Sequence, residues 1–262
     1  MTTNWQDGLA IRQPHSPAHV KGHDVPSVTV YTLEVAGDDC LQALEPILAM
    51  LPIEEQARVR RLRYPKHQAM TLAGKALLLR HLHRVCPGEP RPLLRLLERQ
   101  HTGRPIHPMI DDFSISHSGT FVVLAVAPTG SGIRLGVDIE IIGSQWRIAA
   151  GVAMSVGERR RIHLSGEPER EFFRMWTFKE AVLKADGSGF AVPPSAVNTC
   201  VPSTVVGGRM WFVASFNVAV GYAGHVATSC PACIRVERLD ASDLPALCHC
   251  ESDSVPAADE VS

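Results

Sequence analysis

The stretch Phe172-Phe-Arg-Met-Trp-Thr-Phe-Lys-Glu-Ala-Val-Leu-Lys184 predicts a long helix that ends at Gly187. Helical spacing places Trp176, Glu180 and Lys184 in one row, each residue one turn from the next. A carboxylate one turn before an ammonium suits a metal ligand beside an anion-binding cation. The alternative is an ordinary surface ion pair, which stabilises a helix by about 0.3–0.5 kcal/mol. The tryptophan in the same row favours the margin of a cleft over open solvent.

Two more acidic residues lie upstream, in Gly136-Val-Asp-Ile-Glu140. A β-strand alternates its side chains, so Asp138 and Glu140 share one face, opposite the apolar residues around them. An exposed edge strand would show the same pattern. However, neighbouring carboxylates repel each other unless a cation lies between them, and Mg²⁺ prefers oxygen ligands that it shares with phosphates. Asp138, Glu140 and Glu180 therefore indicate Mg²⁺-dependent chemistry on a phosphate.

Ser116-His117-Ser118-Gly119 separates two predicted strands at 113–115 and 121–127, and we expect a turn there. Hydroxyl, imidazole and backbone N–H donors suit contact with a phosphate or a ribose, although a histidine in a turn often has no function. No strand–elbow–helix pattern surrounds the serines, so we do not expect a nucleophilic triad. The glycine motifs of P-loop and Rossmann sites are absent from the sequence.

The charges are unevenly distributed, although the net charge is only −1. Residues 58–104 contain twelve Lys and Arg against two acidic residues, whereas residues 1–57 contain two bases and eight acids. Such a basic segment in a nearly neutral protein indicates a local anion site. Each residue alone is typical of a solvated helix face. As a group that includes Arg58, Arg63 and Arg104, they suit several phosphates, and nucleic acid would also fit them.

The composition is that of a globular protein, with 45% apolar and 20% charged residues. No apolar run approaches the roughly 18 residues of a membrane helix. The first residues, Met-Thr-Thr-Asn-Trp-Gln-Asp, lack the basic and apolar regions of a secretory signal. We therefore expect a cytoplasmic protein that does not bind a membrane.

The seven cysteines are an odd number, which argues against a disulfide framework. Four of them have a spacing that resembles a zinc ribbon, although C-x-C is a poorer second pair than C-x-x-C. The alternative is that they are ordinary buried or tail cysteines. These four candidates are Cys230, Cys233, Cys248 and Cys250.

The pattern of elements divides the chain into two halves. We expect helices at 38–50, 53–62, 68–85, 155–162 and 169–185, and strands at 27–35, 135–141, 204–206, 210–217 and 225–229. The predicted units are an irregular extension at 1–25, α/β halves at 26–131 and 132–235, and an acidic cysteine-containing tail at 236–262.

The two halves show a weak internal repeat. Glu55 and Glu158 lie 103 residues apart, and each is followed by arginines. Ala76 and Ala181, in the long helix of each half, lie 105 residues apart. This repeat predicts an α+β fold, a pseudo-dimer of two similar α/β halves with the active site at their interface.

Four motifs occur in a fixed order, and together they are more specific than any one of them. They are Gly103-Arg-Pro105, Phe113-Ser-Ile-Ser-His-Ser-Gly119, Gly136-Val-Asp-Ile-Glu140 and Trp176-Thr-Phe-Lys-Glu-Ala-Val-Leu-Lys184. The set, within residues 55–190, resembles the 4′-phosphopantetheinyl transferase family, in its surfactin-synthetase-activating (Sfp-like) type and W/KEA branch. A small trimeric branch of that family is about half this length, so the resemblance implies a monomer of two similar halves.

The resemblance implies an enzyme that transfers the 4′-phosphopantetheine moiety of coenzyme A to a serine of an apo acyl or peptidyl carrier protein. The other product is 3′,5′-ADP. Coenzyme A would be the co-substrate and Mg²⁺ the cofactor, bound by Asp138, Glu140 and Glu180. Glu180, or a water that it orients, would help to deprotonate the carrier serine. Lys184 would stabilise charge on the pyrophosphate and the leaving group. The implied ligands of the coenzyme A phosphates are Arg104, Ser116, His117 and Lys184, with Arg58 and Arg63 at the 3′-phosphate.

Two other functions fit part of the pattern. A Mg²⁺-dependent nuclease also uses Asp-x-Glu on a strand with a helix glutamate, but it needs neither Lys184 nor the Ser-His-Ser-Gly loop. A basic nucleic-acid-binding module would leave the clustered carboxylates without a purpose, and they would repel the ligand. We therefore expect no nucleic-acid partner. Glu158 matches an acidic family position, where either acid–base chemistry or helix capping would account for it.

Overall fold

The computed structural model describes residues 25–36, 40–87 and 93–243. Most of the predicted N-terminal extension and of the acidic tail, including Cys248 and Cys250, lies outside these residues. Within them the chain forms two four-stranded sheets, and a long helix packs on each sheet. No helix in this part of the chain combines the length and the apolar character needed to cross a membrane.

The first sheet belongs mainly to the N-terminal half. It consists of β1 (Ser27–Glu34), β4 (Phe113–Ser118), β5 (Phe121–Val126) and β10 (Cys233–Leu239), in the order β10-β1-β5-β4. Its long helix is α3 (Pro65–Val85), whose apolar residues recur at helical spacing and are buried against the sheet. The predicted helix at 68–85 is thus confirmed, and it begins three residues earlier, with proline in its first turn.

The second sheet belongs to the C-terminal half. It consists of β6 (Leu135–Ile141), β7 (Ser203–Val206), β8 (Arg209–Ser215) and β9 (Tyr222–Thr228), in the order β6-β9-β8-β7 with antiparallel pairing. Its long helix is α6 (Pro168–Asp186), which packs on β6 and β9. The helix ends where Gly187 adopts a left-handed conformation at φ 81°, so the stop predicted from the sequence is confirmed.

Shorter elements connect and flank these layers. They are α1 (Cys40–Met50), α2 (Ile53–Arg60), α4 (Trp146–Ala153), α5 (Val156–Leu164) and the two-residue strands β2 (Glu98–Arg99) and β3 (Pro105–Ile106). Helix α5 begins with a capping box, in which the Ser155 hydroxyl accepts from the Glu158 N–H and the Glu158 carboxylate accepts from the Ser155 N–H. Helix α4 was not predicted from the sequence.

Two further segments differ from the sequence-based expectation. Ser116, His117 and Ser118 lie in β4 rather than in a turn, because β4 pairs with β5 as far as Ser118 and the turn is Gly119-Thr120. Strand β10 was missed; it runs across the boundary drawn after residue 235 and pairs in parallel with β1. The last described strand therefore returns to the sheet of the first half.

The two halves are built alike, as the repeat predicted. In each half, a glutamate on a short helix (α2 or α5) forms a buried ion pair with a lysine on the long helix (α3 or α6). The nitrogen–oxygen distance is 3.7 Å for Lys75 and Glu55, and 2.9 Å for Lys179 and Glu158. The architecture is therefore α+β in two similar halves, while the monomeric state stays a prediction.

The halves meet along β4 and β6, and β6 in turn lies unusually close to α6. A Cβ atom at Gly136 would collide with the backbone of Ala181 and Ala185 on the helix. Only glycine allows this approach. The glycine that precedes the Asp-Ile-Glu motif thus sets the distance between the acidic strand and the acidic helix.

Candidate active site

The acidic strand and helix bring their charged side chains to one cavity of about 300 Å³. Asp138 and Glu140 point to the same side of β6, while Val137 and Ile139 are fully buried on the other side. Helix α6 supplies Glu180 and Lys184. Trp176, Ser116 and His117 complete the polar and aromatic part of the lining. The predicted metal and catalytic residues are therefore neighbours in space.

Lys184 pairs with the strand and not with its neighbour on the helix. Its Nζ atom lies 2.7 Å from Asp138 Oδ1, 3.0 Å from Ser116 Oγ and 3.2 Å from the Val137 carbonyl oxygen. In the described residues, no ion pair joins Lys184 to Glu180. The surface ion pair considered from the spacing alone is therefore not formed, because Asp138 offers the ammonium a more buried partner.

The carboxylates of this cavity are incompletely neutralised. Asp138 Oδ2 and Glu180 Oε1 are buried and have no hydrogen-bond partner. Burial, and secondarily the neighbouring charges of Asp138 and Glu140, raise the pKa of Glu180 to about 7 against the opposing charge of Lys184. Burial also raises the pKa of Glu140, against the hydrogen bonds that it accepts from Ser118 and Trp176.

This chemistry fits a small, hard cation. Unpaired buried carboxylate oxygens are costly, and a divalent ion with oxygen preference would satisfy them. In residues 25–36, 40–87 and 93–243, no three His, Cys, Asp or Glu side chains already surround one metal position. Binding would therefore require the carboxylates to rotate toward a common point.

The serines of β4 hold the carboxylates of β6 across the interface between the halves. Ser116 Oγ donates to Asp138 Oδ1 at 2.8 Å, and Ser118 Oγ donates to Glu140 Oε2 at 2.7 Å. His117, which points away from this pair of contacts, lines both this cavity and a larger one beside it. The Ser-His-Ser segment is thus part of strand β4, and its two serines hydrogen-bond the carboxylates of β6.

The larger cavity, of about 410 Å³, carries the opposite charge. Arg104, Lys75, Arg99 and Lys184 line it, together with Thr71, Thr102 and His117. Burial lowers the pKa of Lys75 to about 8, and the Glu55 carboxylate opposes that shift. An acidic cavity and a basic cavity therefore share Lys184 and His117 at their boundary.

Arg104 is largely buried and connects the halves. Its guanidinium pairs with both Asp112 carboxylate oxygens at 2.7 Å, and it donates to the Leu135 carbonyl at 2.6 Å and to the Lys184 carbonyl. Most of its donors are thus engaged by protein groups on three elements. Its role as a phosphate ligand stays a prediction, and its role as a connection between β6, α6 and the N-terminal half is observed.

The structure does not bring Arg58 and Arg63 to either cavity. Arg58 lies 3.4 Å from Glu55 with its side chain 62% exposed, and Arg63 lies over the Tyr64 ring. Besides the predicted Arg104 and Lys184, the cations that line the larger cavity are Lys75 and Arg99, which were not predicted from the sequence. The repeat offered a signal for Lys75, since it stands 105 residues before Glu180.

Glu158 is a structural residue. Its Oε1 atom accepts from the Thr199 hydroxyl at 2.7 Å, and its Oε2 atom accepts from Lys179 at 2.9 Å and caps α5. It lines neither cavity. Of the two roles left open for it, capping is the one that the geometry supports.

The cysteines of the proposed zinc ribbon are only partly described. Cys230 is half-buried and Cys233 is exposed at the start of β10, and both are free thiols. Their proposed partners, Cys248 and Cys250, lie outside the described residues. The zinc site stays a prediction.

Comparison with known proteins identifies the family. A family model described as "4'-phosphopantetheinyl transferase superfamily" matches residues 134–225, and one described as "4'-phosphopantetheinyl transferase, N-terminal" matches residues 39–129. The chain belongs to the 4′-phosphopantetheinyl transferase superfamily. Within it, the relatives support the Sfp-like type that the motifs resemble. The two matched segments correspond to the two halves of the fold.

The alignments with individual transferases of this family cover only part of the chain. It is 36% identical to the 4′-phosphopantetheinyl transferase AcpT of Salmonella typhi over 36% of the chain and 48% of that protein. It is 31% identical to the 4′-phosphopantetheinyl transferase psf-1 of Bacillus pumilus over 56% of the chain and 63% of the relative. It is 31% identical to a phosphopantetheinyl transferase of Thraustochytrium over 62% of each. The chain thus spans less than two thirds of each of these relatives.

Proposed function

We propose that this protein transfers the 4′-phosphopantetheine moiety of coenzyme A to a serine of an apo acyl or peptidyl carrier protein and releases 3′,5′-ADP. The observation that carries the proposal is the pair of adjoining cavities. One holds Asp138, Glu140 and Glu180, the other is lined by cations, and Lys184 lies at their boundary. The acidic cavity would hold a divalent cation and the basic cavity would hold the phosphates of the substrate.

In this proposal Asp138, Glu140 and Glu180 hold Mg²⁺, in agreement with the two buried carboxylate oxygens that lack a partner. The ion, when bound, neutralises charge on the pyrophosphate and favours departure of the leaving group. The basic cavity would hold the nucleotide phosphates, with Lys75 and Arg99 joining Arg104 and His117 as candidate ligands. Arg58 and Arg63 line neither cavity, so they are not candidate ligands in this proposal.

The chain's own groups would carry the remaining steps. The carrier serine oxygen attacks the phosphorus next to the pantetheine, and the bond from that phosphorus to the oxygen of 3′,5′-ADP breaks. Glu180, directly or through a water that it orients, accepts the serine proton. Lys184 stabilises the negative charge that grows on the departing phosphate. Catalysis then depends mainly on positioning and on charge stabilisation.

The nuclease and the nucleic-acid-binding module receive no support from the comparisons. Part of the basic segment is also directed inward, since Lys75 is buried and lines a cavity of limited size rather than an extended surface. A duplex or a long single strand would need the cations in an open groove. A small polyanion fits this placement better.

The test is direct. The full chain is incubated with coenzyme A, Mg²⁺ and an apo carrier protein, and the carrier is weighed by mass spectrometry. We expect a mass increase of one phosphopantetheine, which is lost in Asp138→Ala and in the absence of a divalent cation. No increase with carriers of both the fatty-acid and the peptide type would overturn the proposal. Cleavage of DNA or RNA in the same buffer would support the nuclease instead.

A further inference from the structure

Three alternate serines on β4 form a side-chain ladder with the edge of β6. Ser114, Ser116 and Ser118 accept hydrogen bonds from the backbone N–H groups of residues 137, 139 and 141, at 3.1, 3.4 and 3.0 Å. The other edge of β6 pairs with β9 in the ordinary way. Serine hydroxyls therefore replace backbone carbonyls where the two halves meet, and they satisfy the edge of the acidic strand.

A serine hydroxyl that accepts one hydrogen bond still has a proton to donate. Ser118 donates its proton to Glu140 Oε2 at 2.7 Å, the short distance typical of a hydrogen bond to a charged acceptor. Ser114 has no carboxylate opposite it, because the corresponding strand position is Gly136. Ser118 thus contacts both the β6 backbone and a carboxylate, whereas Ser114 contacts the β6 backbone alone.

Glu140 depends on such a contact more than Asp138 does. Asp138 is buried and its Oδ1 atom receives both Lys184 and Ser116. Glu140 is half-buried near the end of β6, where the following residue is 47% exposed, and it has one more rotatable bond. Without Ser118, the side chain would have more freedom to turn toward solvent.

We infer that Ser118 is a positioning residue, whose hydroxyl on the N-terminal half fixes the Glu140 carboxylate of the C-terminal half for metal binding. The inference rests on the proposed function, in which Glu140 is a Mg²⁺ ligand. It explains why the acidic strand and its serines come from different halves. A carboxylate on β6 alone lacks its orienting partner, so the binding site is complete only when β4 and β6 are docked.

Metal binding by the full chain tests this role without any turnover. Mn²⁺, which replaces Mg²⁺ at oxygen sites and is visible by electron paramagnetic resonance, is titrated in the absence of coenzyme A. Loss of a hydrogen bond to a metal ligand typically lowers metal affinity about 10- to 100-fold, so we expect a loss of that size in Ser118→Ala. Ser118→Thr, which keeps the hydroxyl, should recover most of the affinity. Ser114→Ala removes the equivalent hydrogen bond to the β6 backbone, and it should leave Mn²⁺ affinity within about 2-fold of wild type.

A double-mutant cycle separates positioning from loss of structure. In a Glu140→Ala background, Ser118→Ala should cause no further loss of Mn²⁺ affinity, because its only route to the metal is gone. If Ser118→Ala does not fold, Ser118→Cys keeps the volume with a weaker donor and takes its place.

The outcomes are distinct. Wild-type affinity in Ser118→Ala, an equal loss in Ser114→Ala, or an undiminished loss in the Glu140→Ala background would overturn the positioning role. In that case the transfer assay can still succeed, and the proposed function stands. A wild-type protein that binds no Mn²⁺ and modifies no carrier overturns both.

Discussion

Lys179 and Glu158 form an ion pair that is removed from solvent, with the ammonium 2.9 Å from Glu158 Oε2 and the lysine side chain 0% exposed. The remaining two ammonium protons reach the carbonyl oxygens of Pro194 and Val197 at 2.8 Å. The lysine of the Lys-Glu-Ala motif therefore ties α6 to α5 and to the loop after α6. Its neighbour in sequence, Glu180, lines the acidic cavity instead.

We predict that Lys179→Met destabilises the protein strongly. Removing one partner leaves Glu158 buried without its counter-charge, which typically costs about 3–5 kcal/mol. Urea denaturation followed by circular dichroism measures the free energy of unfolding. The matched comparison is Arg170→Met, which removes an exposed ion pair on the same helix and should cost less than about 1 kcal/mol. Equal effects of the two substitutions would contradict the structural role of Lys179.

Gly136→Ala is predicted to impair both stability and transfer. The added methyl group would meet the backbone of Ala181 and Ala185, so α6 has to move away from β6 at a cost of about 1–3 kcal/mol. The same movement separates Glu180 and Lys184 from Asp138, and carrier modification should fall at least 10-fold. The control is Gly151→Ala in α4, where nothing lies within 4 Å of the new atom. That variant should be neutral or slightly stabilising, because alanine is the better helix former.

The nucleotide end of the site is tested by comparing two cations. Lys75 lines the basic cavity and is buried, whereas Arg63 is exposed and lies over the Tyr64 ring. We expect Lys75→Met to raise KM for coenzyme A about 10-fold, equivalent to about 1.4 kcal/mol. Arg63→Ala should change it less than about 2-fold. The reverse order would favour the arginine cluster that the resemblance suggested.

Stability should fall in mild acid because of His225. Burial against α6, and secondarily the charge of Arg174, lowers the pKa of His225 to about 4, below the value near 6.5 of an unfolded chain. The unfolded state therefore takes up a proton from pH 6.5 downward while the folded state does not. The contribution of the neutral ring is complete above pH 6.5 and is lost between pH 6.5 and 4.

The measurement is urea denaturation at pH 7.5, 6 and 5 for the wild type and for His225→Asn, which preserves a polar partner for the Thr177 hydroxyl. The free energy of unfolding of the variant should decline less with falling pH, by about 2 kcal/mol between pH 7.5 and pH 5. His81, whose pKa burial also lowers to about 4, contributes to the decline in both proteins and cancels in the comparison. Parallel curves for the two proteins would exclude His225 as a source.

The sequence alone predicted most of the helices and strands and the chemical character of the site. The alternation around Asp138 and the helical row of Trp176, Glu180 and Lys184 follow from local backbone geometry, which fixes the face that a side chain occupies. The two glutamate–lysine ion pairs, one in each half, match the internal repeat. The order of the four motifs led to the family that the comparisons identify.

Only the tertiary structure decided which residues share a cavity and which partner each charge takes. Lys184 pairs with Asp138 rather than Glu180, and Lys75 rather than Arg63 lines the basic cavity. Ser118 meets Glu140 because β4 docks beside β6. The Ser118–Glu140 contact joins residues 22 positions apart in the sequence, and the Lys184–Asp138 contact joins residues 46 positions apart. Sequence spacing reports the face of an element, but the docking of one element on another depends on the packing of the whole core.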